Sequence, residues 1–232
     1  MKNAIIIILF ITGFIGFSQK KIDKETSELY KNYREDQFYI SVTYNLLNKK
    51  PSDLNQSGFS TGFHFGFIRD MPINKKRTVA LGLGLGLSTN SYNQNIAITE
   101  VNNQVSFNVI NESEINVSKN KFTTYLIEVP FELRWRKSSP TNYSFLRIYP
   151  GFKLGYLFYN STKLKTDQDR TKLSNIDEFN RLQYGLTLSV GYSTWNIHAY
   201  YGLNPIFNDS SKLDGAALNL AAFKIGLMFY IL

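Results

Sequence analysis

The stretch Tyr125 to Arg136, YLIEVPFELRWR, separates into two chemistries when every second residue is read. Tyr125, Ile127, Val129, Phe131, Leu133 and Trp135 are large and apolar. Glu128, Glu132, Arg134 and Arg136 share the other parity with Leu126 and Pro130. A strand points successive side chains to opposite faces, so this is a strand with one greasy and one charged face. A helix would mix the two sets around its circumference, and Pro130 would interrupt it.

The two-residue period recurs from Gln37 onward. It predicts strands at about 37–47, 58–69, 79–88, 125–136, 143–159, 181–192, 195–204 and 223–231. The third is the barest case, with Val79, Leu81, Leu83, Leu85 and Leu87 alternating with Ala80, Gly82, Gly84, Gly86 and Ser88. Eight strands is an even number, as a bacterial single-chain barrel requires. A soluble lipocalin-like barrel would show the same alternation with its apolar face turned inward.

Three features turn the apolar face outward. The bulky apolar positions outnumber what an eight-stranded interior can hold. The opposite parity is rich in Gly, Ser and Thr, which suits a crowded lumen. Aromatics gather towards strand ends, at Phe38, Tyr125, Trp135, Tyr156, Phe158, Tyr192 and Trp195, as interfacial girdles do. The fold expected is therefore all-β, an eight-stranded antiparallel up-and-down transmembrane β-barrel. DMPINKK, KSSPTN and Ser193-Thr194 are short periplasmic turns; NKKPSDLNQS and the segments 90–121, 160–178 and 206–216 are longer extracellular loops. Within 90–121, apolar alternation on both sides of Asn102-Asn103 predicts a small hairpin above the membrane.

The opening MKNAIIIILFITGFIGFSQK has a positive n-region at Lys2 and an apolar h-region from Ala4 to Phe17. That run is short of the ~20 residues a spanning helix needs, so residues 1–18 read as a signal peptide. Residues 19–36 form a polar periplasmic leader and 37–232 the barrel domain. Cysteine is absent, which excludes disulfides, thiolate chemistry and a cysteine-borne lipid anchor. The formal net charge is +8, yet no basic run interleaves with aromatics, so nucleic acid is not an expected partner.

The leader ending GFSQ, the YLIEVPFELRWR strand, RIYPGFKLGYLF and the C-terminal FKIGLMFYIL resemble the PorT-like outer-membrane β-barrel proteins of Bacteroidota, over about residues 37–232. The resemblance implies outer-membrane lipid as surroundings and, for some relatives, association with type IX secretion or other envelope proteins. The last strand also resembles the signal read by the barrel-assembly machinery during insertion, with Lys224, Gly226, Phe229 and Ile231 at the signal positions. The chain ends in Leu232 where many such proteins end in Phe.

Lumen parity carries Glu128, Glu132, Arg134, Arg136, Arg147, Lys153, Arg181 and Lys224. These charges read either as a polar plug or as a conduit, and eight strands leave no aqueous channel, which favours the plug. A symmetric 137–142 turn would set Glu132 opposite Arg147 and bring Glu128 to Lys153 diagonally. The glycines of the third strand make room for Arg147, Lys153 and Tyr200 to crowd inward. His64 and His198 are the only histidines, and pairing across Ser193-Thr194 sets Ser189 opposite His198. A Ser-His pair evokes a hydrolase, but no carboxylate is placed to orient the imidazole. With two histidines and no cysteine, neither a metal site nor a cofactor is expected. The expected function is that of a non-enzymatic barrel acting as a structural or interaction protein through its loops. The alternative is porin-like transport of small solutes.

Overall fold

The computed structural model describes residues 36–102, 104–110, 115–137 and 146–231. The expected signal peptide and, apart from Asp36, the leader lie outside the described residues. Thirteen strands follow in order: β1 Gln37–Asn48, β2 Thr61–Pro72, β3 Val79–Asn93, β4 Ile96–Val101, β5 Gln104–Val109, β6 Val117–Arg136, β7 Leu146–Thr166, β8 Arg170–Ser174, β9 Leu182–Tyr192, β10 Trp195–Gly202, β11 Lys212–Leu213, β12 Ala216–Ala217 and β13 Ala221–Ile231.

Eight of them close into an antiparallel barrel. The sheet runs β6-β3-β2-β1-β13-β10-β9-β7, and β6 pairs with β7 to join the ends. Closure leaves the membrane-spanning wall without an edge, the condition for a strand-built object in lipid. The alternation decides the faces. In β1 every even-numbered residue from Phe38 to Val42 is exposed while its odd-numbered neighbours are buried. Leu85 on β3 and Trp195 on β10 are 62% and 63% exposed, values that only lipid makes tolerable for such side chains over a continuous band. Phe38, Trp135, Tyr192 and Trp195 mark the short-turn end of this band, where Trp195 meets Phe229 edge-on at 4.8 Å between ring centroids.

Several strands run further than the apolar alternation alone predicts. β3 continues to Asn93, and β6 and β7 span 20 and 21 residues, about twice the length needed to cross a bilayer. Beyond the membrane neither face must be apolar, so polar segments such as 117–124 and 160–166 extend the ladder without displaying the period. β2, in turn, begins at Thr61, three residues after the expected start, and leaves Phe59 72% exposed outside it. The β4–β5 hairpin forms about Asn102, whose φ of 53° is a conformation Asn tolerates well.

The β6–β7 register corrects one expectation. Glu132 lies opposite Gly151 and Arg136 opposite Arg147, so Glu132 and Arg147 are not directly paired. Among the described residues the last main-chain bond of this pair runs from Lys137 N–H to the Leu146 carbonyl at 3.2 Å, and Leu146 lies four residues past the end of a 137–142 turn. Because side chains repeat every two residues, an even slip keeps each of them on its own face, and parity cannot tell one such register from another. Towards the long-loop end β7 carries one extra residue. Leu126 pairs with Leu157 and Tyr125 with Tyr159, which makes Phe158 a bulge and swaps the outward parity of β7 from even to odd numbers.

Two buried clusters lie inside. Tyr39, Ile68, Tyr149, Met228 and Tyr230 pack at the short-turn end. At the long-loop end, Tyr92, Phe122, Leu126 and Tyr200 of the wall pack with Leu54, Phe179, Ile206, Phe207, Leu218 and Leu220 of the loops and Ile96, Ile98 and Phe107 of the hairpin. Phe122, Phe179 and Phe207 form a triangle with centroids 4.6–5.6 Å apart.

Candidate functional site

The lumen of the barrel gathers most of the charges that the sequence places on its inner parity. Glu128, Glu132, Arg134, Arg136, Arg147, Lys153 and Lys224 are all buried. Arg181 is the exception: it precedes β9, its side chain is 67% exposed, and it pairs with Asp177 four residues earlier. The alternation runs correctly to Arg181, but the strand starts one residue later and the wall no longer encloses it.

At the short-turn end the network turns on Asp70, which lay beyond the expected strand. β2 keeps even-numbered residues inward from Gly62 through His64, Gly66 and Ile68 to Asp70. The expected strand stopped at 69, and one more residue of the same alternation would have found it. Arg136 donates to both Asp70 oxygens, Nη1 to Oδ1 at 2.6 Å and Nη2 to Oδ2 at 2.7 Å. Arg134 reaches Asp70 Oδ1 through Nη1 at 3.2 Å and Glu132 Oε2 through Nε at 3.0 Å. Its guanidinium also lies 5.1 Å from the Tyr149 ring centroid and 5.6 Å from that of Tyr230. Tyr230 OH donates to the other Glu132 oxygen at 3.0 Å, extending the network to Ser189 at 3.3 Å and on to His198.

A second network sits at mid-height. Glu128 Oε1 is 3.1 Å from His64 Nδ1 and Glu128 Oε2 is 3.1 Å from Lys153 Nζ. Lys153 pairs with Pro130, so its contact with Glu128 crosses the β6–β7 ladder diagonally. Lys224 places its ammonium 4.8 Å from the Tyr200 ring centroid. Charge-assisted contacts of this kind are strong where water is scarce, and a lone charge there would be expensive.

The glycines of β3 make room for inward-pointing side chains. A Cβ on Gly82 would meet Arg134 Nε at 2.8 Å, one on Gly84 would meet Ile68 Cγ1 at 2.7 Å, and one on Gly86 would strike the Tyr39 hydroxyl. Tyr39, Ile68 and Arg134 supply the nearest side-chain atoms at these three glycines. Tyr200 does crowd a glycine, but that glycine is Gly185 on β9.

Ser189 and His198 face each other across β9 and β10, with Oγ and Nδ1 2.8 Å apart and both residues at most 2% exposed. The residues at the signal positions of the last strand fall on β13. Lys224 and Gly226 point inward, Phe229 and Ile231 outward. Gly226 has a packing reason of its own, since a Cβ there would run into the backbone of Val42 and Thr43 on β1. At the rim of the long-loop end, a cleft of about 350 Å³ opens between Ser57, Gly58, Asn93 to Asn95, Ile110 and the start of β6. Among the described residues no group of three or more His, Cys, Asp or Glu could hold a metal.

A closed barrel with an apolar outer band, aromatic rims and a charged interior defines a transmembrane β-barrel protein. The family described as outer membrane protein beta-barrel domain matches residues 17–208, and the chain belongs to that family. It is thus a protein of the outer membrane. Among solved structures it is similar to Ail, the attachment invasion locus protein of Yersinia pestis, at 14% identity and a TM-score of 0.38, over 84% of this chain and 97% of Ail. It is also similar to a chain from a study of asymmetric conductivity of engineered proteins, at 9% identity and a TM-score of 0.20, over 86% of this chain and 99% of that one. No curated protein sequence matches the chain significantly.

Proposed function

We propose that this is a non-enzymatic outer-membrane barrel with a plugged lumen, a rigid scaffold that presents its long extracellular loops to partners. One observation supports the reading: buried side chains pack inside the barrel at successive heights. Ion pairs occupy the lower and middle lumen, and an apolar cluster lies over them beneath the loops. Eight strands leave room only for side chains, so such filling stops water as well as solutes. With the lumen filled, chemistry falls to the loops, where a rigid fold usually carries it.

The finer assignment is a PorT-like, secretion-associated role with partners in the envelope. It rests on the resemblance of YLIEVPFELRWR and FKIGLMFYIL to that group. Export through the N-terminal signal and recognition of the last strand by the barrel-assembly machinery belong to the same reading. The porin-like alternative has one feature in its favour. Among the described residues five buried cations, Arg134, Arg136, Arg147, Lys153 and Lys224, face three buried carboxylates, Asp70, Glu128 and Glu132, so an opened lumen would prefer anions. Swelling of proteoliposomes in small sugars, amino acids and anions separates the two. The plugged reading expects rates equal to protein-free vesicles, and swelling that scales with the protein content of the vesicles would replace it with the transport reading.

A further inference from the structure

The outward face of β6, β7 and β8 changes chemistry in steps as it rises past the lipid band. Ile127 pairs with Tyr156, and Tyr125 with Tyr159, giving an aromatic rim. The next row is hydroxylic, with Thr123 opposite Ser161 and Ser161 opposite Ser174. Above it Lys121, Lys163 and Lys172 form a row across the three strands. Lys119, Lys165 and Arg170 form the next. With strands about 4.8 Å apart, six cations share a patch on the order of 10 Å across.

Nothing in the fold requires this. The inner face of the same segment buries Phe122 and Thr162 and packs Leu173 against the apolar cluster, so it is the inner side that holds the sheet together. Like charges directly opposite in a ladder destabilise it. None of the six makes an ion pair among the described residues. Asp169, in the turn beside them, spends its carboxylate on the Arg170 N–H and the Thr171 hydroxyl. The repulsion is felt at the centre of the patch. Arg170 above all, then Lys119, holds the Lys163 ammonium below the usual lysine range. Partial burial, then Lys119 and Lys163, does the same to Lys121.

We propose that this outward-facing patch binds phosphate-bearing lipid headgroups of the outer leaflet. Its position selects the occupant. Lys121 stands four residues above Tyr125 on the same face, about 13 Å along the strand and less along the membrane normal once the strand tilts. Lysine and arginine stems are long enough to lie along the aromatic rim and bring their charges to headgroup level. A soluble partner would meet the tips of the loops first, whereas this face is the upward continuation of the lipid-covered wall. The inference rests on the outer-membrane barrel and its orientation, not on the plugged lumen, so either can fail without the other.

The test is native mass spectrometry of the purified full-length protein, released from zwitterionic micelles doped with dioleoyl phosphatidic acid or dioleoyl phosphatidylcholine. The protein should retain phosphatidic acid about tenfold better, with a preference that fades as salt rises. Replacing Lys119, Lys121, Lys163, Lys165, Arg170 and Lys172 with Gln should abolish that preference. Replacing Lys49, Lys50, Lys75 and Lys76, exposed elsewhere, should leave it intact. Should the six-site variant not fold, Lys163→Gln, Arg170→Gln and Lys172→Gln together should give a partial loss. Equal preference in variants and parent would overturn the proposal. So would displacement of the lipid by excess inorganic phosphate, which marks a site for free anions. Tight binding of heparin without any lipid preference would overturn it too, in favour of a soluble polyanionic partner.

Discussion

Asp70 holds two arginines, accepting from both Nη atoms of Arg136 and from Nη1 of Arg134. Both guanidinium groups are fully buried, so removing Asp70 leaves charge where water cannot compensate. Breaking a buried pair in this way typically costs about 3–5 kcal/mol. Asp70→Ala should therefore unfold at a distinctly lower urea concentration than the parent in lipid vesicles, followed by the shift in gel mobility between folded and heated forms. An unchanged midpoint would mean that Arg134 and Arg136 draw their stability from elsewhere. The sequence displayed Asp70 on the correct parity, two residues past where the apolar run fades. It displayed Arg181 on the correct parity as well, one residue before the wall begins. Parity reports a face; it does not report where a strand stops enclosing a lumen, because that depends on the neighbouring strand.

Among the elements, β13 closes the ring by pairing with β1 and β10, so its arrival completes the barrel. Phe229 lies outward against Trp195 and Ile40 at the short-turn rim, where a carboxylate loses less than at mid-bilayer. A large loss of folded protein from Phe229→Asp would thus exceed what lipid exposure alone accounts for and would point to recognition of the strand during insertion. The account expects reduced abundance in the outer membrane; normal abundance with normal heat-modifiable mobility would remove Phe229 from any such signal. Strand identity was legible throughout, since eight segments alternate and eight strands form the wall. Register was not. The β6–β7 slip relative to a symmetric turn changes every partner yet moves no side chain to the other face, so hydrophobic patterning is blind to it. The cationic rows on β6, β7 and β8 were hidden for the same reason, since Lys119, Lys121, Lys163, Lys165, Arg170 and Lys172 become neighbours only once the strands pair.

For the molecule as a whole, the outer surface follows directly from composition, and the interior follows from what that surface leaves over. The apolar cluster beneath the loops had no periodic signal, because Leu54, Phe179, Ile206, Phe207, Leu218 and Leu220 come from connections whose backbones follow no repeating geometry. It adds a second layer above the ion pairs, and the two together make the central claim that the barrel is a closed scaffold. Planar-bilayer recording of the purified protein tests that claim most directly. The account predicts a flat baseline with no stepwise current at either polarity, in the parent protein and also when residues 96–109 are replaced by a short linker, because on the proposed reading the lower ion-pair network is enough to close the lumen. Steady ohmic channels from the parent protein would contradict it.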